Sequence, residues 1–315
     1  MKKSSIILSI VVMMVSVQAT IIKEETPGAA VLGKQLFFDP ILSKDSTISC
    51  ASCHKPQFAF ADNLRVSVGV GGRKGKRNTP TAMNLLLDEK FFWDGRAGSL
   101  EEQALAPIEN PDEMNLPLAK AIERLNSSAA YKEKFMQVFA EVPSKSNLAL
   151  AIASFERTLE TSDSPFDNWK FSDDSSLVSD AVRRGFVLFN EKGKCIKCHF
   201  GSDFTTNDFK NIGLFNGKQL NDSGRAVVSG KAEDIGRFKT PGLRNVELTA
   251  PYMHNGMLKT LDDVIEFYND PKKKVPNAIN TDTILLKPLG LTKKEKNELK
   301  AFLLSLTDKQ FKTKS

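Results

Sequence analysis

The chain has 315 residues, of which 41% are hydrophobic and 26% are charged. This is the composition of a globular protein, and the length exceeds that of one typical domain. The formal net charge is +6, but the basic residues are scattered and lack interleaved aromatic residues. We therefore do not expect a nucleic acid or an anionic membrane as a partner.

The first residues have the pattern of an export signal. A lysine pair at positions 2 and 3 precedes an apolar run over residues 6–17, which ends beside a small residue, Ala19. The run is shorter than the roughly 20 residues that a membrane-spanning helix needs. We expect residues 1–19 to be a signal peptide, and the remaining chain to be periplasmic and without a membrane attachment.

A short pattern occurs twice in the chain. Gly-x-x-Leu-Phe, at residues 33–37 and 185–189, precedes a Cys-x-x-Cys-His motif at residues 50–54 and 195–199. Around the second copy, Val182, Phe186 and Phe189 have helical apolar spacing. An internal repeat of this kind predicts two similar units, each a helix followed by a loop that carries the Cys-x-x-Cys-His motif.

All four cysteines belong to these two motifs. In an exported chain, Cys-x-x-Cys-His presents two thiols for thioether bonds to a porphyrin and a histidine for its iron. Two disulfides are the alternative, but each would close a very short loop and stabilise little. A zinc or thioredoxin-type site would not require a histidine after each pair. The predicted attachment residues for two covalent haem c groups are Cys50, Cys53 and His54, and Cys195, Cys198 and His199.

Capping residues and apolar spacing predict further helices. Ser99-x-x-Glu102 and Thr292-x-x-Glu295 match the capping box that begins a helix, and apolar spacing recurs in residues 152–159 and 299–306. A polar stretch at residues 161–165 suggests a boundary between an N-terminal domain, residues 20–164, and a C-terminal domain, residues 165–315. The predicted fold is mainly α, with two cytochrome c-like domains and long loops near residues 60–80 and 200–250.

Histidine is scarce enough to limit the coordination of iron. The chain has three, and two of them are the predicted motif ligands, which leaves only His254. At most one of the two irons can therefore have two histidine ligands. An iron with one protein ligand keeps an open face, which favours small-molecule chemistry over simple electron transfer.

Longer motifs resemble those of bacterial di-haem cytochrome c peroxidases and their MauG-like relatives. They include Arg-Asn-Thr-Pro at residues 77–80, Phe-Trp-Asp-Gly-Arg at 92–96, Thr-Pro-x-Leu-Arg-Asn-Val at 240–246 and Ala-Pro-Tyr-Met-His-Asn-Gly at 250–256. The similarity covers nearly all of the predicted mature chain. It implies that hydrogen peroxide reacts at the first haem, and that electrons arrive through the second haem from a small periplasmic cytochrome c or copper protein.

The resemblance also assigns residues near the first haem. Glu113 and Gln103 correspond to the distal pocket, where a carboxylate can move a proton between the oxygens of peroxide and an amide can orient it. Trp93 corresponds to a tryptophan between the haems, an electron relay. Val70 stands where family members that need reductive activation have a distal histidine, so we expect the first haem to react without prior reduction.

The second haem has one favoured distal ligand and two alternatives. Alignment from His254 places Tyr268 at the ligand position, with Met253 and Met257 as the alternatives. A phenolate would stabilise ferric and higher-valent iron, which favours Tyr268. The resemblance also implies one calcium ion between the haems, since hard oxygen ligands suit calcium. Its predicted ligands are Asn78, Thr249 and Pro251.

Three functions are therefore compared. The favoured one is peroxide reduction. A MauG-like oxidase would use the same di-haem chemistry to oxidise tryptophan or tyrosine of a partner protein, and both Tyr268 and Val70 agree with it. A non-catalytic di-haem electron-transfer cytochrome would leave Glu113 without a role. The oligomeric state stays open between a monomer and a homodimer.

Overall fold

The computed structural model describes residues 27–312. In this range the fold is mainly α with long loops, as predicted, and the only sheet is a short antiparallel pair, β1 (Phe209–Lys210) and β2 (Phe238–Lys239). No helix within these residues is long and apolar enough to cross a bilayer. The predicted signal peptide, residues 1–19, lies outside the described residues. The helices are α1 (Pro27–Phe38), α2 (Leu100–Glu109), α3 (Leu118–Ser127), α4 (Ala129–Phe139), α5 (Lys145–Glu156), α6 (Pro165–Ser172), α7 (Asp180–Asn190), α8 (Ala226–Ser229), α9 (Leu261–Asn269), α10 (Pro271–Lys274) and α11 (Lys293–Leu304).

Helix α1 crosses α5 at Gly33, where no side chain fits. A Cβ atom added to Gly33 would lie 1.8 Å from the carbonyl oxygen of Ala151 and 3.0 Å from Cβ of Phe155. The glycine therefore lets the two backbones touch. This close crossing buries Leu36 and Phe37 in the core of the N-terminal half.

Helix α7 crosses α11 in the same way at Gly185. A Cβ atom added there would lie 2.0 Å from the carbonyl oxygen of Glu298 and 2.8 Å from Cβ of Phe302. Phe302 is fully buried, and its ring centroid lies 4.9 Å from that of Phe189. The repeated Gly-x-x-Leu-Phe sequence is thus a repeated helix crossing, in which each glycine faces two residues spaced four apart.

Two main hydrophobic clusters lie in different parts of the chain. Buried residues between positions 32 and 159 form the first cluster, and buried residues between positions 189 and 306 form the second. Polar contacts join the two parts: the Arg77 guanidinium pairs with Asp222, and Asn245 donates to the Thr161 hydroxyl. The domain boundary between residues 164 and 165 stays a prediction.

The predicted caps are present with one correction. Thr292 and Glu295 form a complete capping box at α11. At α2, Ser99 accepts from the N–H of Glu102, but the Glu102 carboxylate accepts from Gly98 at 2.7 Å rather than from Ser99. The side chain reaches one residue further back, so the second half of the predicted box is wrong while the helix start is correct.

Candidate active site

The two Cys-x-x-Cys-His motifs adopt the same local structure. Each contains a 3-10 turn, at Cys50–Ser52 and at Cys195–Lys197. The N–H of His54 donates to the carbonyl oxygen of Cys50, and the N–H of His199 donates to that of Cys195, both at 2.9 Å. The sequence repeat therefore produces a structural repeat at the predicted attachment sites.

Each motif histidine has one ring nitrogen occupied. Nδ1 of His54 lies 2.9 Å from the carbonyl oxygen of Phe60, and Nδ1 of His199 lies 2.9 Å from that of Phe204. Because a carbonyl only accepts, Nδ1 carries the proton and Nε2 keeps its lone pair, as in metal-bound histidines. Burial lowers the pKa of both imidazoles, which favours the neutral ring that iron requires.

The motif cysteines are not joined in disulfides. Burial raises the pKa of Cys50 and of Cys195 to about 12, and that of Cys53 to about 11. Within residues 27–312, no three His, Cys, Asp or Glu side chains are grouped as a zinc site would require. The geometry therefore agrees with neither alternative that the sequence left open, a pair of disulfides or a zinc site.

A cavity of about 950 Å³ adjoins the first motif. Cys50, Cys53 and His54 line it, and so do three residues predicted for catalysis, Trp93, Gln103 and Glu113. Gln103 and Pro107 lie one turn apart on α2 and face the cavity together. The fold thus brings the first motif and all three predicted catalytic residues to one cavity, although they come from separate segments of the chain.

Glu113 lies in a tight turn after α2. Its Oε1 accepts a 2.7 Å hydrogen bond from Nδ2 of Asn110, and its N–H donates to the Asn110 carbonyl at 3.0 Å. Burial raises the pKa of the Glu113 carboxyl, while the nearby Arg96 guanidinium and the Asn110 amide partly oppose that increase. A carboxyl with a raised pKa is better suited to giving and taking a proton than an exposed one.

Trp93 lies at the junction between the first cavity and the C-terminal half. Its Nε1 donates a 2.8 Å hydrogen bond to the carbonyl oxygen of Asn78. Its ring meets the ring of His254 edge-on, with centroids 6.4 Å apart, and His254 stacks on Phe238 at 3.6 Å. Burial lowers the pKa of His254 to about 4, so this third histidine is neutral and packed among aromatic rings.

Tyr268 lies on α9 close to the second motif. Burial, together with the Cys198 and Cys195 thiols, raises the pKa of its phenol. Its hydroxyl has no hydrogen-bond partner within residues 27–312. Met253 and Met257 pack in the same hydrophobic cluster, and the Met257 sulfur accepts a 3.5 Å contact from the Asn255 amide. Cys195 and Cys198 of the second motif thus lie within electrostatic reach of the Tyr268 phenol, which favours Tyr268 among the three candidate ligands.

The predicted calcium residues lie near the same junction. Asn78 is buried, its side-chain amide donates to the Leu64 carbonyl at 3.1 Å, and its N–H donates to the His254 carbonyl at 2.8 Å. Thr249 and Pro251 precede His254 in the chain. Within residues 27–312, no group of three or more His, Cys, Asp or Glu side chains forms a metal site. Calcium binding through Asn78, Thr249 and Pro251 stays a prediction.

Comparisons with known proteins agree with this geometry. A family model described as di-haem cytochrome c peroxidase matches residues 27–175. The chain is 40% identical over 285 residues to the methylamine utilization protein MauG of Methylorubrum extorquens. The aligned region covers 89% of this chain and 78% of that protein. It is also 40% identical over 245 residues to the cytochrome c551 peroxidase of Nitrosomonas europaea. This aligned region covers 77% of this chain and 73% of the relative.

The solved structure of a MauG-like protein associated with microbial copper homeostasis has the same fold. The two share 30% sequence identity with a TM-score of 0.83, over 91% of each chain. The chain belongs to the di-haem cytochrome c peroxidase family. As a member of that family it is an oxidoreductase of the cytochrome c peroxidase type, with haem c as its cofactor.

The residues of this family member fit haem c at the first motif. Cys50 and Cys53 offer two thiols that are engaged in no disulfide, His54 offers Nε2 as an iron ligand, and all three line a cavity at the upper end of the size range for ligand pockets. The second motif repeats the turn and the histidine hydrogen bond. When bound, haem c supplies an iron centre that exchanges electrons and binds peroxide oxygen.

Sequence reasoning assigned no role to two charged residues of the first cavity of this peroxidase, Arg96 and Glu156. The Arg96 guanidinium stacks on the Phe92 ring at 3.5 Å and pairs with Asp94 at 3.0 Å. Glu156 ends α5 directly after a run of small and apolar residues at positions 149–155. A lone carboxylate at the end of such a run was the signal that could have identified Glu156.

Proposed function

We propose that this protein is a periplasmic di-haem peroxidase that reduces hydrogen peroxide to water. In this proposal, Cys50, Cys53 and His54 hold the peroxidatic haem, and Cys195, Cys198 and His199 hold the haem that receives electrons. The donor is a small c-type cytochrome or a copper protein. The cavity that Glu113 and Gln103 share with the first motif is the single observation that carries the proposal.

The chemistry requires a group that moves protons beside the first motif. Reduction of one peroxide to two water molecules consumes two electrons and two protons. One oxygen of peroxide must lose its proton as it binds, and the other must gain a proton as the O–O bond breaks. The Glu113 carboxyl can take the first proton and return it to the departing oxygen, while the Gln103 amide orients peroxide.

Val70 supports a first haem that is ready to react. The family's activating histidine would stand at this position, and valine has no atom that ligates iron. His254 is the remaining histidine of the chain, and it is packed between Trp93 and Phe238. We therefore infer that the first iron has His54 as its one protein ligand and needs no prior reduction.

The C-terminal half supports an electron-transfer role for the second haem. The Tyr268 hydroxyl is free of hydrogen bonds to the described residues, and the second motif's thiols influence its pKa. We infer that Tyr268 would be the distal ligand of the second haem iron. Trp93, which lies between the first cavity and His254, is the inferred relay between the two haems.

The test is steady-state peroxide consumption with a reduced c-type cytochrome as donor. Replacing Glu113→Gln keeps the side-chain size and one oxygen but removes the proton site, so turnover is expected to fall by about 100-fold or more. Glu102→Gln is the matched control, because Glu102 is exposed and caps α2. Unchanged turnover in the Glu113 variant would remove this residue from the mechanism, and failure of the wild-type protein to consume peroxide would overturn the proposed function.

The second candidate is a MauG-like oxidase that modifies tryptophan or tyrosine of a partner protein. The 40% identity to the methylamine utilization protein MauG favours it, as do Tyr268 and Val70. This candidate predicts that peroxide oxidises the haems without rapid turnover when only a small cytochrome is supplied. Mass spectrometry of partner proteins isolated with the peroxide-treated chain would then detect oxidised aromatic side chains. Rapid turnover with the cytochrome alone favours the peroxidase.

A further inference from the structure

Glu156 is a buried carboxyl in the first cavity that the mechanism above does not use. It ends α5, is 5% exposed and lines the cavity together with Cys50, Gln103 and Ile152. Its Oε2 is buried and has no hydrogen-bond partner among residues 27–312. A charged carboxylate in this position would carry a large desolvation cost, whereas a neutral carboxylic acid carries a smaller one.

The internal repeat provides a comparison within the same molecule. The two glycine crossings align Phe155 of α5 with Phe302 of α11, so the next residues, Glu156 and Leu303, occupy equivalent positions. Leu303 is 7% exposed and packs in the second hydrophobic cluster. An apolar side chain therefore satisfies the helix crossing, and the carboxyl at the first site is not needed for packing.

The charged and titratable surroundings of Glu156 favour its neutral form. Glu101 of α2 opposes its ionisation and the Cys50 thiol lies within its electrostatic reach, while Arg157 favours ionisation. The Arg157 guanidinium is already paired with Glu101 at 2.8 Å. Burial is the largest effect and raises the pKa of Glu156 to about 8. Glu113 also influences Cys50, so both carboxyls lie near the same part of the first motif.

We propose that Glu156 stores a proton beside the first haem and delivers it to the cavity during peroxide reduction. This inference rests on the proposed function, because that reaction consumes two protons for each peroxide. Glu113 moves one proton between the two oxygens of peroxide and returns to its starting state. Glu156 gives one of the two consumed protons to a peroxide-derived oxygen and regains a proton from solvent. The second consumed proton reaches the same oxygen from solvent, so that this oxygen leaves as water. The electrons come from the donor protein.

The experiment compares the haem-loaded wild-type protein with Glu156→Gln and Glu156→Leu, the second of which copies the residue of the other half. Glu102→Gln is the matched control, because it changes an exposed carboxylate of α2 that does not line the cavity. Infrared spectra at pH 7 are expected to contain the C=O band of a protonated carboxyl in the wild type and the control. Both Glu156 variants are expected to lack it. Absence of the band from the wild type, or its persistence in both variants, overturns the proposal.

Two functional measurements separate proton delivery from a structural role. The peroxide turnover of the wild type is expected to decrease as the pH rises through about 8, whereas the Glu156→Gln variant is expected to be about tenfold slower at pH 7 and to lack that decrease. Equal turnover and equal pH dependence overturn proton delivery. In the wild type, the midpoint potential of the first haem, measured without peroxide, is expected to depend on pH in the same range. In the Glu156→Gln variant, that pH dependence is expected to be absent. If the wild type consumes no peroxide, the proposed function fails, and the potential and the infrared band still decide whether Glu156 exchanges a proton.

Discussion

The N–H of Val70 donates a 2.8 Å hydrogen bond to the carbonyl oxygen of Glu113. The loop that contains Val70 is thus in direct main-chain contact with the proposed proton carrier. Gly69 lies against the same turn, where an added Cβ would be 2.3 Å from the carbonyl oxygen of Asp112 and 2.5 Å from that of Glu113. The position of Glu113 therefore depends on a loop that is far from it in sequence.

Replacing Gly69→Ala should displace Glu113. Main-chain oxygens cannot yield as a flexible side chain can, so the loop must move away from the turn. We expect a loss of about 1–3 kcal/mol in the free energy of unfolding, measured by chemical denaturation, and a marked fall in peroxide turnover. Gly98→Ala is the control, because its nearest atom would be the Glu102 carboxylate at 3.6 Å. Equal turnover in both variants would show that the loop does not position Glu113.

The Arg96 guanidinium should determine the pH range in which kcat/KM rises with pH. Its positive charge lowers the pKa of Glu113 against the effect of burial, so Arg96→Gln should raise that pKa further. A carboxyl with a higher pKa stays protonated at higher pH and loses its ability to accept a proton there. The rise of kcat/KM with pH is therefore expected to move to higher pH, while Lys120→Gln, an exposed change on α3, leaves it in place. A shift to lower pH would contradict the assignment.

The helical architecture could be predicted from local sequence, because the same glycine and apolar residues recur at the helix crossings of both halves. Gly33 and Gly185 open the same kind of helix crossing, and Phe189 follows helical spacing that any amphipathic helix shows. The mainly α fold follows from these patterns. The bounds were harder to predict: Leu159 and Leu306 continue the apolar spacing, but they lie beyond α5 and α11, since they pack from the turns that follow.

The candidate site was less accessible to sequence reasoning because its groups meet through long-range contacts in irregular loops. Nothing local indicates that the Asn78 carbonyl would receive the Trp93 indole N–H, or that Val70 would bond to Glu113. Resemblance to a family placed Glu113 and Gln103 at the site, and the cavity contains both. Glu156 could not be predicted as a site residue, because its burial depends on how α2 packs on α5.

Replacing Trp93→Phe should slow electron transfer between the haems. Phenylalanine cannot donate to the Asn78 carbonyl, which would lose its 2.8 Å partner at a cost of about 1–3 kcal/mol in the free energy of unfolding. In stopped-flow experiments, peroxide should reoxidise the reduced second haem more slowly than in the wild type. Trp169→Phe is the control for a lost buried indole, since Trp169 packs on α6 against Phe166 and Phe186. The same rate in the wild type and the Trp93 variant would eliminate the relay.

Replacing Tyr268→Phe should remove the distal ligand of the second haem iron. The phenol has no hydrogen-bond partner among the described residues, and Phe removes its oxygen while keeping the ring that packs on Phe267. Electron paramagnetic resonance of the oxidised wild type is expected to show one high-spin and one low-spin haem, and the low-spin signal should be lost or altered in the variant. Tyr252→Phe is the matched control, because the Tyr252 hydroxyl donates to the Val246 carbonyl at 3.0 Å. If the low-spin signal persists unchanged in Tyr268→Phe and disappears in Met253→Leu or Met257→Leu, the distal ligand is that methionine.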